Sequence, residues 1–147
     1  MIGDGGHASV IKSFKPDANV VAIGDNVIRK CHAKKWGARH WGTAIHWSVF
    51  IYDSVQIGEG TVIMQGAVIQ PHARIGKHVI LNTGCTIDHH CIIEDYAHIA
   101  PGAHLCGGVH VGEGALVGVG VGIEPGVKIP AWSVVKRAPY VIALADH

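Results

Sequence analysis

The chain has 147 residues, of which 48% are apolar and 16% are charged, so it is not a disordered chain and can form a core. Its formal net charge of +1 gives no reason to expect binding to nucleic acid or to an anionic membrane surface. No apolar stretch is long enough to span a bilayer and no signal peptide is recognised, so we expect a cytoplasmic protein without membrane or nucleic-acid partners.

Residues 1–44 predict a small α/β unit. A glycine turn at residues 3–6 precedes a helical stretch at 7–14, and residues 19–23 have the apolar character of a strand. The sequence Gly24-Asp25-Asn26 can cap a second helix that reaches about Trp36. A complete mononucleotide-binding half has a further βα unit. We therefore interpret residues 1–44 as a shortened Rossmann-like subdomain.

A six-residue repeat fills the rest of the chain. A large aliphatic residue returns at every sixth position from Ile45 to Val135, in sixteen hexads, and a small or β-branched residue lies two positions before each one. This period does not fit a helix or one long strand, but it fits short strands joined by tight turns. Three such strands make one triangular coil of eighteen residues. The pattern predicts a parallel β-helix over residues 45–135, followed by a short cap and tail at 136–147.

Flat prism faces leave aliphatic surface between neighbouring molecules, so we expect a homotrimer around a three-fold axis. Sites between subunits are then possible. The repeat places His72 and His90 on adjacent coils, whereas His98, His104 and His110 fall on three successive faces and point in three directions.

A catalytic metal is the first chemistry to weigh, because γ-class carbonic anhydrases are β-helices with zinc-binding histidines. Those enzymes have a histidine pair five residues apart, and no two histidines of this chain have that spacing. We expect no metal, and interpret His72, His78, His104 and His110 as solvent-facing. The four cysteines lack a Cys-x-x-Cys pair, and we expect them to be reduced packing residues.

Three segments of the sequence are similar to the family of sialic acid O-acetyltransferases and bacillosamine-pathway N-acetyltransferases. They are Gly3-Asp4-Gly5-Gly6-His7-Ala8, then Ala22-Ile23-Gly24-Asp25-Asn26-Val27-Ile28-Arg29, and the stretch from Leu81 through Gly108. The resemblance covers essentially the whole chain. It implies a left-handed β-helix, acetyl-CoA as co-substrate, and an amino sugar, often nucleotide-linked, or a sialic acid as acceptor.

The resemblance also implies roles for individual residues. His89 matches the general base, with Asn82 as a polar active-site residue seven positions earlier. Acetyl-CoA is expected to contact His98, Gly107 and Val119, and the acceptor nucleotide sugar to contact Gly5, Gly6, His7 and Gly24. The tail residues Lys136 and Arg137 are candidates to bind the phosphates of CoA.

Two features depart from the family pattern. The residue after the base is usually acidic and would orient the imidazole, but here it is His90, so Asp88 or a partner-subunit carboxylate is a candidate for that role. The N-terminal subdomain is about half the usual length and lacks the acidic pair expected after its second strand.

The sequence thus predicts an acetyl-CoA-dependent sugar acetyltransferase in which His89 takes a proton while the acceptor attacks the thioester directly. N-acetylation of a 4-amino-4,6-dideoxy sugar is the preferred hypothesis. Three alternatives remain: O-acetylation of sialic acid or a related sugar, a γ-carbonic-anhydrase-like metalloprotein, and a non-catalytic trimeric β-helix.

Overall fold

A computed structural model describes residues 6, 9, 11, 19–37 and 40–136 of the chain. Most of this part is a stack of two-residue strands joined by tight turns. The strands are β1 Ala44–Ile45, β2 Phe50–Ile51, β3 Gln56–Ile57, β4 Val62–Ile63, β5 Val68–Ile69, β6 Arg74–Ile75, β7 Ile80–Leu81, β8 Thr86–Ile87, β9 Ile92–Ile93, β10 His98–Ile99, β11 His104–Leu105, β12 His110–Val111, β13 Leu116–Val117, β14 Gly122–Ile123, β15 Lys128–Ile129 and β16 Val134–Val135.

The strands form three parallel sheets, because every strand pairs with the third strand after it. Face 1 has the order β1-β4-β7-β10-β13-β16, face 2 contains β2, β5, β8, β11 and β14, and face 3 contains β3, β6, β9, β12 and β15. Paired residues are one coil of eighteen residues apart, as in the pairing of Val62 with Ile80. The sequence prediction of a triangular parallel β-helix is therefore confirmed.

The turns make three edges of the prism. We call them the 1–2 edge, which includes residues 82–85, the 2–3 edge, which includes residues 88–91, and the 3–1 edge, which includes residues 94–97. From Gly60 to Trp132, every sixth residue has a positive φ between 52° and 74°. Glycine fills most of these left-handed turn positions, but His72, His78 and His90 occupy three of them.

The large residues of the hexads fill the interior of the prism. Those from Ile63 to Ile129 are at most 8% exposed, whereas Ile45 at the open first coil is 39% exposed. The small partners, such as Ala67 and Cys85, are also buried, which leaves room for three faces to converge. The predicted inward pattern is confirmed, and it weakens only where a neighbouring coil is missing.

The N-terminal part packs on face 1 and the 3–1 edge. Helix α1, Asn26–Lys35, is capped by Asp25, whose carboxylate accepts the Ile28 backbone N–H at 2.8 Å, as the sequence predicts. The strand predicted at 19–23 is only partly formed: Asn19 makes an isolated parallel bridge to Trp41. The helix predicted at 7–14 lies largely outside the described residues. No helix in the described part of the chain is long and apolar enough to cross a bilayer.

One buried arginine attaches this part to the β-helix. Arg29 is 1% exposed, and its guanidinium donates to the carbonyl oxygens of Ile23 at 2.9 Å, His78 at 2.8 Å and Tyr96 at 2.6 Å. Burial lowers the pKa of Arg29 to about 10, because the charged form loses its hydration. Backbone carbonyls from the N-terminal segment and from two successive coils thus share one cation.

Candidate active site

His89 lies on the 2–3 edge, in a turn fixed by the coils on either side. The backbone N–H of His90 donates to the carbonyl oxygen of Pro71 at 3.1 Å, and the carbonyl oxygen of His89 accepts the N–H of Gly108 at 2.9 Å. The backbone is therefore held while the imidazole of His89 remains exposed. An exposed imidazole on a rigid turn is available to a substrate at this edge.

The imidazole of His89 lies directly against Gly107, one coil further along the chain. A Cβ atom on Gly107 would come within 2.6 Å of His89 Cε1 and 2.7 Å of Nε2. Gly107 is not at a left-handed position, so its missing side chain serves this close approach rather than the backbone conformation. The structure thus brings together two residues that the sequence predicted for the base and for the CoA site.

The neighbours of His89 in the chain have different contacts. The Asp88 carboxylate accepts the backbone N–H of His89 at 2.7 Å, which stabilises the turn. The ring of His89 instead contacts His90, whose Nδ1 is 3.1 Å from Nδ1 of His89. His90 in turn packs on His72 of the preceding coil, with ring centroids 4.9 Å apart, as the eighteen-residue spacing predicts.

Asn82 and His98 form a second cluster on face 1 and at the 1–2 edge. Both are buried, at 7% and 8% exposure, and Asn82 Nδ2 lies 3.1 Å from His98 Nε2. Asn82 Oδ1 also accepts the backbone N–H of Thr83 at 2.8 Å. These contacts fix the amide and the imidazole relative to each other.

Two other predicted CoA contacts also lie on the 1–2 edge. Val119 is 67% exposed and follows β13, two coils beyond Asn82. Lys136 follows β16 on the next coil, where its Cα is 3.6 Å from the position of a Cβ on Gly118. Both residues lie on the C-terminal side of Asn82, along one edge of the prism.

One predicted sugar contact, Gly24, lies beside the 3–1 edge. Gly24 lines a pocket of about 200 Å³ beside the 3–1 edge, together with Asn26, Gly114 and Trp132. Asn26 Nδ2 donates to the Gly114 carbonyl oxygen at 3.0 Å, which attaches the wall of the pocket to the coil. Gly6 is exposed. The other predicted contacts lie outside the described residues: Gly5, His7 and the tail residue Arg137.

The predicted site residues therefore occupy three edges of one prism. His89 and Gly107 meet on the 2–3 edge, Asn82 and His98 meet near the 1–2 edge, and Gly24 belongs to the 3–1 edge. Edges of one prism are separated by whole faces, so a single chain does not bring these clusters into one cavity.

The sequence did not predict a pocket that the structure shows beside His90. It measures about 450 Å³ and is lined by polar and charged side chains from three successive coils: Ser54, Gln56, His72, Arg74 and His90, with Ile92. Ser54, His72 and His90 are spaced by eighteen residues, so the repeat already contained the signal for this alignment. Its position makes it an extension of the 2–3 edge site.

Other expectations about histidines and cysteines have mixed outcomes. His78 is not solvent-facing: it is 4% exposed, with Trp41 edge-on and Tyr96 stacked against it. The N-terminal part covers it, which the repeat alone did not reveal. Burial raises the pKa of the Cys85 thiol to about 12, consistent with a reduced packing residue, but Cys31 on α1 is exposed. No group of three His, Cys, Asp or Glu side chains able to hold a metal ion occurs among the described residues.

Comparison with known proteins supports the six-residue repeat. The bacterial transferase hexapeptide (six repeats) family matches residues 54–89, which include His89. No functionally curated protein sequence matches the chain. The acetyltransferase domain of PglB from Neisseria gonorrhoeae, in complex with acetyl coenzyme A, has a TM-score of 0.84 and 25% identity, over 90% of this chain and 84% of that one.

A second similar structure is perosamine N-acetyltransferase from Caulobacter crescentus, in a histidine-to-asparagine variant complexed with CoA and GDP-perosamine. It has a TM-score of 0.82 and 32% identity over 92% of this chain and 87% of that one. WeeI from Acinetobacter baumannii is more distant, with a TM-score of 0.55 and 25% identity over 86% of this chain and 73% of that one.

Fold and repeat define a hexapeptide-repeat β-helix of the bacterial transferase type. At 32% identity over nearly its whole length, the chain belongs to the family of sugar N-acetyltransferases that includes perosamine N-acetyltransferase and the PglB acetyltransferase domain. The resemblance to bacillosamine-pathway acetyltransferases predicted from the sequence is thereby confirmed.

Proposed function

We propose that this protein transfers the acetyl group of acetyl-CoA to the amino group of a nucleotide-linked sugar. The observation that carries the proposal is the likeness, along both the β-helix and the N-terminal part, to an N-acetyltransferase whose structure holds CoA and GDP-perosamine. N-acetylation is favoured over O-acetylation because that relative is an N-acetyltransferase. A 4-amino-4,6-dideoxy sugar is the acceptor class that we propose.

His89 is the proposed general base. As the acceptor nitrogen attacks the thioester carbonyl, a C–N bond forms, the C–S bond breaks, and Nε2 of His89 takes the proton that the nitrogen loses. The proton then passes to the departing CoA thiolate. Because the acceptor attacks the thioester directly, no covalent acetyl-enzyme forms. Its exposed ring against Gly107 supports this role, because the glycine leaves the reacting nitrogen accessible.

The active site is proposed to form between subunits of a homotrimer. His89 and the Asn82–His98 pair lie on different edges, so both reach one acetyl group only if two copies meet. A three-fold arrangement makes each interface heterologous and brings unlike surfaces together. Exposed aromatic side chains on the first coil, Trp47, Phe50 and Tyr52, supply apolar surface for such contacts.

CoA and sugar would approach the site along different edges of the prism. Val119 and Lys136 lie on the C-terminal side of Asn82, where they can contact the pantetheine arm and a phosphate. Gly24 and its pocket belong to the N-terminal part, residues 1–44, which we propose to be a shortened nucleotide-sugar-binding subdomain on the β-helix of residues 45–135. Residues 136–147 are proposed to form a C-terminal cap and tail. The protein is proposed to act in the cytoplasm.

Thiol release from acetyl-CoA tests the reaction. We expect release only with certain acceptors from a panel of 4-amino-4,6-dideoxy sugar nucleotides, sialic acid and amine-free analogues. His89→Ala should lower kcat by about a hundredfold or more, as expected for loss of a general base. His104→Ala is the matched control, because His104 is also an exposed histidine but lies on face 2. Equal rates in the two variants would contradict the assignment of the base.

Co-expression of two inactive variants tests the shared site. A mixture of His89→Ala and Asn82→Ala chains should recover up to about a quarter of native activity, because one interface in four combines an intact His89 with an intact Asn82. Each variant alone should stay inactive while remaining trimeric by light scattering. An inactive mixture of well-folded trimers would show that both residues act within one chain.

A further inference from the structure

His90 replaces the acidic residue that would orient the base, and the contact between the two rings is short. Their Nδ1 atoms are 3.1 Å apart, with ring planes at 82° to each other. Two nitrogens at this distance share a hydrogen bond only when one carries a proton and the other a lone pair. The direction of that bond decides which nitrogen of His89 is free.

We propose that His90 is a positioning residue that accepts the Nδ1–H of His89 and so keeps Nε2 of His89 unprotonated for catalysis. The inference rests on the proposed function, since a base must present a lone pair to the acceptor. In this arrangement His90 carries its own proton on Nε2. A neutral imidazole then does the orienting that a carboxylate does in related sites.

The surroundings hold His90 in place for this task. Its backbone has φ 59°, its N–H donates to Pro71, and its ring packs on His72. Arg74 lines the same pocket as His90. The backbone and ring contacts of His90 fix its imidazole beside that of His89.

Among the described residues of this chain, no charged side chain hydrogen-bonds the ring of His89. Asp88 uses a carboxylate oxygen on the His89 backbone N–H at 2.7 Å. The following coil presents Gly107 and Gly108 to the His89 turn, and neither has a side chain to offer. Among the described residues, His90 is the side chain whose hydrogen bond reaches the His89 ring.

Three substitutions separate the hydrogen bond from backbone and charge effects. His90→Asn, His90→Asp and His90→Gly all tolerate the left-handed φ of this position. Asparagine places an acceptor oxygen where Nδ1 stood, aspartate adds a negative charge to the same shape, and glycine removes the acceptor. His104→Asn is the control, because it replaces an exposed histidine on face 2 and leaves the contact between His90 and His89 unchanged.

We expect His90→Asn to keep kcat within about threefold and His90→Gly to lower it by about tenfold to a hundredfold, without change in the KM for acetyl-CoA. His90→Asp should move the acidic limb of the pH–rate profile to higher pH than His90→Asn, because a carboxylate favours the protonated form of His89. If His90→Gly retains native kcat while His89→Ala is inactive, the inference is overturned.

A readout that does not need turnover distinguishes this inference from the proposed function. With ¹⁵N-labelled histidine, NMR should find His89 protonated on Nδ1 in the native chain and in His90→Asn, but on Nε2 in His90→Gly. An Nε2–H tautomer in the native chain overturns the inference. A native chain that has the expected tautomer but releases no CoA with any acceptor contradicts the proposed function instead.

Discussion

Replacing Gly107 with alanine should damage catalysis without damaging the fold. The new Cβ would lie 2.6 Å from His89 Cε1 and 2.7 Å from Nε2, and ordinary contacts begin at about 3.4 Å. The imidazole must therefore move by about 0.8 Å. It is exposed, so it can move at a cost to the free energy of unfolding below about 0.5 kcal/mol.

The effect on rate follows from this displacement. A misplacement of about 1 Å can cost a hundredfold in rate, so we expect kcat to fall by between about tenfold and a hundredfold. The KM for the acceptor should change much less. Steady-state thiol release measures kcat and KM, and the thermal midpoint of unfolding measures the change in stability.

Gly122→Ala provides the matched control. Gly122 also lacks a left-handed backbone, but a Cβ there meets nothing within 4 Å. We expect native kcat and native stability from this variant. If Gly107→Ala also kept native kcat, the close approach of His89 to Gly107 would have no catalytic importance, and the proposed position of the reacting nitrogen would be wrong.

Three further predictions concern stability and exposure. Arg29→Met leaves buried carbonyl oxygens without donors, at about 1–3 kcal/mol each, so protease cleavage within α1 should accelerate while the β-helix stays resistant. Burial lowers the pKa of His78 below its ordinary value of 6.5, so at mildly acidic pH the unfolded chain binds a proton more readily than the folded chain does. The free energy of unfolding should therefore fall as the pH drops below 6.5, and thermal melting should show a smaller fall in His78→Asn. Thiol titration of the native protein should detect two of the four cysteines, because Cys85 and Cys91 are buried and their thiols have raised pKa values.

Each of these predictions has an outcome that would contradict it. Unchanged cleavage in Arg29→Met would mean that α1 is held by other contacts. Identical pH dependence in the native protein and His78→Asn would assign the acid sensitivity to other groups. Reaction of four thiols without denaturant would require the prism to open.

The hexad pattern was sufficient to predict the β-helix, because residues at equivalent repeat positions pair with each other on adjacent coils. Every coil faces an equivalent coil, so Ile63 and Leu81 share one environment and the sequence period translates directly into register. Contacts of the N-terminal part do not repeat. The burial of His78 and the carbonyl ligands of Arg29 depend on one unique docking surface, which periodicity does not encode.

Local contacts within the candidate site were also only partly predictable. The eighteen-residue spacing predicted that His72 and His90 lie on adjacent coils in contact with each other. It did not predict that Asp88 would bond to the backbone and leave the ring to His90, because neighbours in one turn compete for the same donors. That competition is resolved only by the φ and χ angles of the turn.

The spacing between Asn82 and His89 has a consequence for assembly. Six residues carry the chain from one edge of the prism to the next, so residues seven apart cannot share an edge of one chain. A β-helix has no means to shorten that separation, because each face is fixed by hydrogen bonds to the coils above and below it. If both residues act on one acetyl group, the second edge must come from another copy, and trimer formation becomes a condition of catalysis. Dilution to the point of dissociation should then abolish turnover before the β-helix unfolds.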